Sequence, residues 1–291
     1  MRALGGTLQR VRGVLAAAAL VAALALAGAA DASFIVDRNA SGVSLRISGK
    51  SAIVNYSRGG ARRSVVLSGA INARPPSSGV AQVAFHAAYG YGSRPGGTCA
   101  AYTGPSLPFL VAACDAPDGS HWALQNWQRL EANFGGSRAD AELHASHWSG
   151  DLPKLEVWQD WAYDGRYQHL FGRYTYQGKP VYGFRSTGAG SPLDTYGRNI
   201  YLDTLDSAYG RGWHRENSFL AHKPTGVFCY GFYPHAGRPG TGSTYRLTAQ
   251  GPGVTPIVSW VGQAPGAYDA TVDAQMNDLQ RSLGDRLCRH S

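Results

Sequence analysis

VSLRIS (Val43–Ser48), AIVNYS (Ala52–Ser57) and SVVLSGAINA (Ser64–Ala73) follow one another with only GKS and RGGARR between them. Each run carries the β-branched and apolar content of a short strand, and glycine marks each gap as a turn. Three such strands in immediate succession predict an antiparallel meander. ARPPSSG at Ala73–Gly79 is the first plausible break, and VAQVAFHAAYGYG then continues in the same style.

Working outward, strand candidates recur from Leu155 onward: LEVWQDWAY, HLFGRYTY, PVYGFRS, RNIYLDT, GVFCYGFY, TYRLTA and PIVSWVG. Short strands punctuated by Gly and Pro point to an antiparallel β-sandwich or jelly-roll-like fold rather than to alternating βαβ units. The expected organisation is a leader over 1–32, a meander over 33–95 and a main β-rich domain over 96–291. The meander is either a small domain or part of the main sandwich. At the C-terminus Val272, Met276, Leu279, Leu283 and Leu287 form a helical stripe, so the chain is expected to close with an amphipathic helix. Asp269 and Asp273 near its start and Arg281 and Arg286 near its end suit the helix dipole.

One short internal helix is expected in CDAPDGSHWALQNWQRL (Cys114–Leu130), capped by Asp118 or Ser120. At helical spacing Ala123, Trp127, Leu130 and Phe134 fall on one stripe, which makes Trp127 a core residue. Trp122 then lies on the polar side beside Gln125, Asn126 and Arg129. An indole flanked by two amides and a guanidinium has the parts of a carbohydrate platform, and equally those of a cation–π contact or a covered ring.

The N-terminus carries Arg2, Arg10 and Arg12, an apolar run from Val14 to Ala27, and Ala30, Asp31 and Ala32. The run falls short of the roughly 20 residues that a bilayer span needs, so it reads as a secretory leader. Export places the mature chain outside the cell or in the envelope, without a membrane span. Cleavage after Ala32 removes three arginines and one aspartate and takes the formal net charge from +8 to +6. The basic residues read as scattered apart from Arg62 and Arg63, which argues against a nucleic-acid groove and suits attraction to an anionic envelope polymer. Export also favours disulfides among Cys99, Cys114, Cys229 and Cys288. A local, turn-rich loop favours Cys99 with Cys114, which leaves Cys229 with Cys288, a long closure worth about 4 kcal/mol.

Few patterns suggest catalysis. LEVWQDW (Leu155–Trp161), read as a strand, places Glu156, Trp158 and Asp160 on one face, a ring between two carboxylates. The two carboxylates would lie roughly 13 Å apart, beyond the about 5–9.5 Å used by glycosidases. Glu216, on one strand face with His214, is a further weak candidate acid or base. His144 and His147 complete no zinc box, GRPGTGSTYR lacks the phosphate-loop order, and no GxSxG is present. No metal or cofactor is expected. The composite expectation is an exported, non-catalytic protein that binds an extracellular polysaccharide or anionic envelope polymer, with Trp122, Gln125, Asn126, Arg129 and Trp158 as ligand residues. A polysaccharide-acting hydrolase or lyase is the alternative, and a structural cell-surface protein the second.

Overall fold

The computed structural model describes residues 34–74, 83–130, 137–163, 167–181, 185–186, 192–193, 199–216, 218–222, 226–232, 244–250, 255–263 and 269–282. The first half of the chain forms β1 (Ile35–Arg38), β2 (Ser41–Ser48), β3 (Ser51–Arg58), β4 (Ala61–Gly69), β5 (Phe85–Tyr91), β6 (Ala100–Ala101), β7 (Leu110–Asp115), β8 (His121–Leu130) and β9 (Ser137–Trp148). The second half forms β10 (Lys154–Tyr163), β11 (Tyr167–Tyr176), β12 (Lys179–Pro180), β13 (Arg185–Ser186), β14 (Pro192–Leu193), β15 (Asn199–Ser207), β16 (Gly210–Arg215), β17 (Ser218–His222), β18 (Val227–Phe232), β19 (Thr244–Gln250), β20 (Val258–Gln263) and the helix α1 (Ala270–Ser282). Among the described residues all strand pairs are antiparallel.

The meander forms as its sequence predicts, with β2, β3, β4 and β5 side by side. Its hairpins are tight: Ser48 pairs with Ser51 and Arg58 with Ala61. Alternation turns Leu45, Ile47, Val54, Tyr56, Val65 and Leu67 to one side. There they pack against Cys114, Trp122, Leu124, Leu143 and Ala145 of the sheet β1-β9-β8-β7-β6, and the two sheets share one core. A second core joins Leu170, Tyr174 and Phe228 of the sheet β10-β11-β18-β17 to Ile200, Leu202, Tyr245 and Leu247 of the sheet containing β15, β19 and β20. Mostly antiparallel sheets facing one another across apolar cores match the sandwich expectation.

The internal helix is a correction. Residues His121–Leu130 are strand β8, paired with β7 and β9. Asp118 does bond Ser120, through both its backbone N–H (3.0 Å) and its hydroxyl (2.6 Å), but this closes the β7–β8 turn. The same short-range bond that caps helices also serves turns. Both faces of β8 are buried: Trp122 and Leu124 lie on one, Ala123, Gln125 and Trp127 on the other. A strand covered on both faces loses the two-residue polarity alternation, and the helical stripe fitted by coincidence. Among the described residues no helix precedes α1.

Asp269 accepts the backbone N–H groups of Thr271 and Val272 at 2.8 and 3.0 Å at the start of α1. Leu283 and Leu287 of the expected stripe lie outside the described residues. Cys99 and Cys114 form a disulfide with Cα atoms 5.1 Å apart. Cys229 is also disulfide-bonded, and Cys288, its expected partner, lies outside the described residues. No described helix is long and apolar enough to cross a membrane.

Candidate functional site

The expected aromatic platform is not a surface. Trp122 is 1% exposed, with its ring stacked on His147 at a centroid distance of 4.0 Å. An indole so enclosed offers no face to a sugar. Gln125 is equally buried: its amide donates to the Pro108 and Ile257 carbonyls at 2.7 and 2.9 Å and accepts the Ile257 N–H at 2.8 Å. It fastens β8 to the segment before β20. Asn126 is half-buried, and strand alternation separates it from Gln125. The side chains of Arg129 and Trp158 lie outside the described residues.

The carboxylates are dispersed as well. A bulge between Val157 and Gln159 in the β10–β11 register breaks the alternation that would place Glu156, Trp158 and Asp160 on one face. Gly172 is required opposite it, since a Cβ there would come within 1.9 Å of the Glu156 carbonyl oxygen. Glu156 is exposed, and the side chain of Asp160 lies outside the described residues. Glu216 is buried and bonded by the Thr204 hydroxyl. Among the described residues no three His, Cys, Asp or Glu side chains gather to hold a metal ion.

What the structure gathers instead is arginine, in two settings. On β15, Asp203 is 0% exposed and has arginines as cross-strand neighbours on both sides, Arg215 and Arg246. They donate to its two oxygens at 2.5 and 3.1 Å. The Arg215 guanidinium lies 3.8 Å over the Tyr201 ring, and that of Arg246 lies 4.2 Å over Trp213. This is an ion-paired structural knot, since burial of such groups requires pairing.

The second setting is the outer face of the meander. A groove of about 620 Å³ runs over this face, lined among others by Ser44, Arg46, Asn55, Ser57, Arg62 and Arg94, and by no carboxylate among the described residues. All three arginines are exposed. The groove is built by the segment after β5, which folds back across β2 and β3. Asn55 pins it with two bonds, accepting the Arg94 N–H at 2.7 Å and donating to the Arg94 carbonyl at 3.0 Å. Arg62 donates to the Ser93 hydroxyl at 3.4 Å. Gly97 then crosses β2 so closely that a Cβ would lie 2.8 Å from the Ile47 carbonyl oxygen, and Thr98 exchanges backbone bonds with Ile47 at 2.6 and 2.9 Å. The Cys99–Cys114 disulfide follows at once and ties this segment to β7.

The charge of the chain is therefore not scattered. Between Phe34 and Gly97 eight Lys and Arg residues face a single acid, Asp37, whereas from Thr98 to Ser291 sixteen Lys and Arg residues stand against seventeen acids. Counting charge segment by segment would have exposed this asymmetry. Strand register alone brings Arg46 and Arg62 to the same face. The chain matches no family model, no curated protein and no solved structure.

Proposed function

We propose that this chain is an exported, non-catalytic protein that binds an anionic extracellular polysaccharide through the outer face of its meander. In this reading the leader over 1–32 is removed, and a C-terminal helix packs its Val272 and Leu279 side against the sandwich. The observation that carries the reading is the groove over Arg46, Arg62 and Arg94, in which three exposed guanidinium groups meet no carboxylate among the described residues. Guanidinium groups grip carboxylate and phosphate oxygens in a bidentate fashion, and a local positive field speeds the encounter with a polyanion. The groove is pre-ordered by Asn55 and the disulfide, which lowers the entropy lost on binding.

Binding of the mature protein to polygalacturonate, with neutral dextran as control, tests this. Affinity for polygalacturonate is expected to fall steeply between low and high salt, and the combined Arg46→Ala, Arg62→Ala and Arg94→Ala variant to bind about tenfold or more weakly. Equal binding of dextran, or an unchanged triple variant, refutes the assignment.

A further inference from the structure

The opposite side of the same sheet carries a second concavity, where the apolar core stops short of the strand ends. It encloses about 360 Å³, within the roughly 300–1,000 Å³ of small-molecule sites. Its lining includes Asp37, Tyr56, Arg58, Arg63, Tyr89 and Tyr91. Register explains the grouping: Tyr56, Arg63 and Tyr91 are cross-strand neighbours on β3, β4 and β5, on the face that carries Val65 and Leu67 into the core further along.

Two features distinguish this patch from ordinary core. Tyr91 is 93% exposed and Tyr89 58% exposed, two rings on one strand face. Tyr89 is nevertheless held in place, its hydroxyl donating to the Val36 carbonyl at 3.1 Å. The charged groups also divide unequally. Asp37 already accepts Arg58 at 2.7 Å and the Arg38 N–H at 2.8 Å, and the Tyr56 hydroxyl bonds to it as well. Arg63 lies at the floor in no ion pair among the described residues, and its buried Nε lacks a hydrogen-bond partner.

We infer that this concavity is a binding site for a single carboxylated sugar residue, distinct from the arginine groove, with the pyranose ring stacked on Tyr91 and Tyr89 and its carboxylate on Arg63. Flat rings with polar rims suit a pyranose, whose C–H groups need apolar contact and whose hydroxyls need acceptors. The Tyr89 hydroxyl, whose proton is committed to the Val36 carbonyl, supplies such an acceptor. The guanidinium without a counter-charge selects an acid over a neutral sugar. The site rests on the glycan reading only for its ligand class.

The test is a titration of the isotopically labelled mature chain with methyl β-glucuronide and with methyl β-glucoside, followed through the backbone amides of Tyr89, Gly90 and Tyr91. Saturable shifts with the glucuronide are expected, weakened about fivefold by Tyr91→Ala and about tenfold by Arg63→Gln. The variant lacking Arg46, Arg62 and Arg94 should respond as the parent does. Equal response to the glucoside overturns the acidic ligand class. No saturable shift with either sugar, or shifts indifferent to Tyr91→Ala, overturns the site. Loss of polygalacturonate binding with these shifts intact would strike the groove alone.

Discussion

Arg215 and Arg246 beside β15, and Arg46, Arg62 and Arg94 on the meander, are the same side chain put to opposite uses. The first two are covered by Tyr201 and Trp213 and share one buried carboxylate, Asp203. The other three are exposed around a groove with no carboxylate among its described lining residues. A buried charge must find its partner within the fold, while an exposed one keeps its capacity for a ligand. Composition counts the two sets alike, but only the second presents its guanidinium groups to solvent.

The sharpest way to break this contrast is to remove the shared counter-charge. Asp203→Ala leaves two guanidinium groups buried around an empty position and is expected to cost about 3–5 kcal/mol in urea unfolding. Replacing Asp203, Arg215 and Arg246 together by Leu, Met and Met should recover most of that loss, because no guanidinium is then left buried without its carboxylate. If Asp203→Ala unfolds like the parent, the buried set is not a structural knot.

The disulfide comes next. Replacing Cys99 and Cys114 by Ser opens a closure of 15 residues, with an expected loss of about 3 kcal/mol. Because the bridge anchors the segment that builds the groove, polyanion binding should fall in the same variant. Full binding by the reduced protein would mean that the groove forms without its anchor.

His147 is a third kind of buried polar group, held by neutral partners. Its Nδ1 donates to the Ala70 carbonyl at 2.7 Å, and its Nε2 lies 2.9 Å from the Ser120 hydroxyl. Burial holds its pKa below the ordinary 6.5, against the opposing pull of the Gly69 and Ala70 carbonyls. The unfolded chain therefore takes up a proton at about pH 6.5 where the folded chain resists it. The stability contributed is present above that pH and is lost as pH falls through the depressed folded value. Unfolding midpoints measured from pH 7.5 down to 5 should decline in the parent and flatten in His147→Gln. The carboxylates Asp115 and Asp118, whose pKa values are lowered, act in a separate window below about pH 4.

Smaller effects sharpen the exposed side. Asn55→Ala removes both bonds to the Arg94 backbone and should cost about 1 kcal/mol, with a loss of polyanion affinity beyond what stability explains. Arg46→Ala, Arg62→Ala and Arg94→Ala should each change stability by less than about 0.5 kcal/mol, although together they remove binding. Large stability losses in these three would show them to be structural and erase the difference between the two sets.

Strand-rich architecture and the Cys99–Cys114 bridge could be read from sequence because both are local. Tight turns at Gly49–Lys50 and Gly59–Gly60 leave adjacent runs little choice but to pair, and a short turn-rich loop brings its two cysteines together. β8 could not be read this way. Its two faces meet two different layers, an apolar one through Trp122 and a polar one through Gln125, so its pattern carries no two-residue signal. Glu156 and Asp160 illustrate a related limit, since one bulged residue reverses every facing assignment beyond it.

The sequence by itself determined the β class, the first disulfide and, through its count of charges between Phe34 and Gly97, a strongly basic meander. Only tertiary structure decided which arginines are spent on Asp203 and which face solvent. Pairing β15 with both β16 and β19 sets Arg215 and Arg246 about one carboxylate, and the crossing of Gly97 over β2 walls the groove beside Arg46 and Arg62. Register is set by packing across sheets far apart in the chain, and a one-residue slip would exchange the buried face for the exposed one.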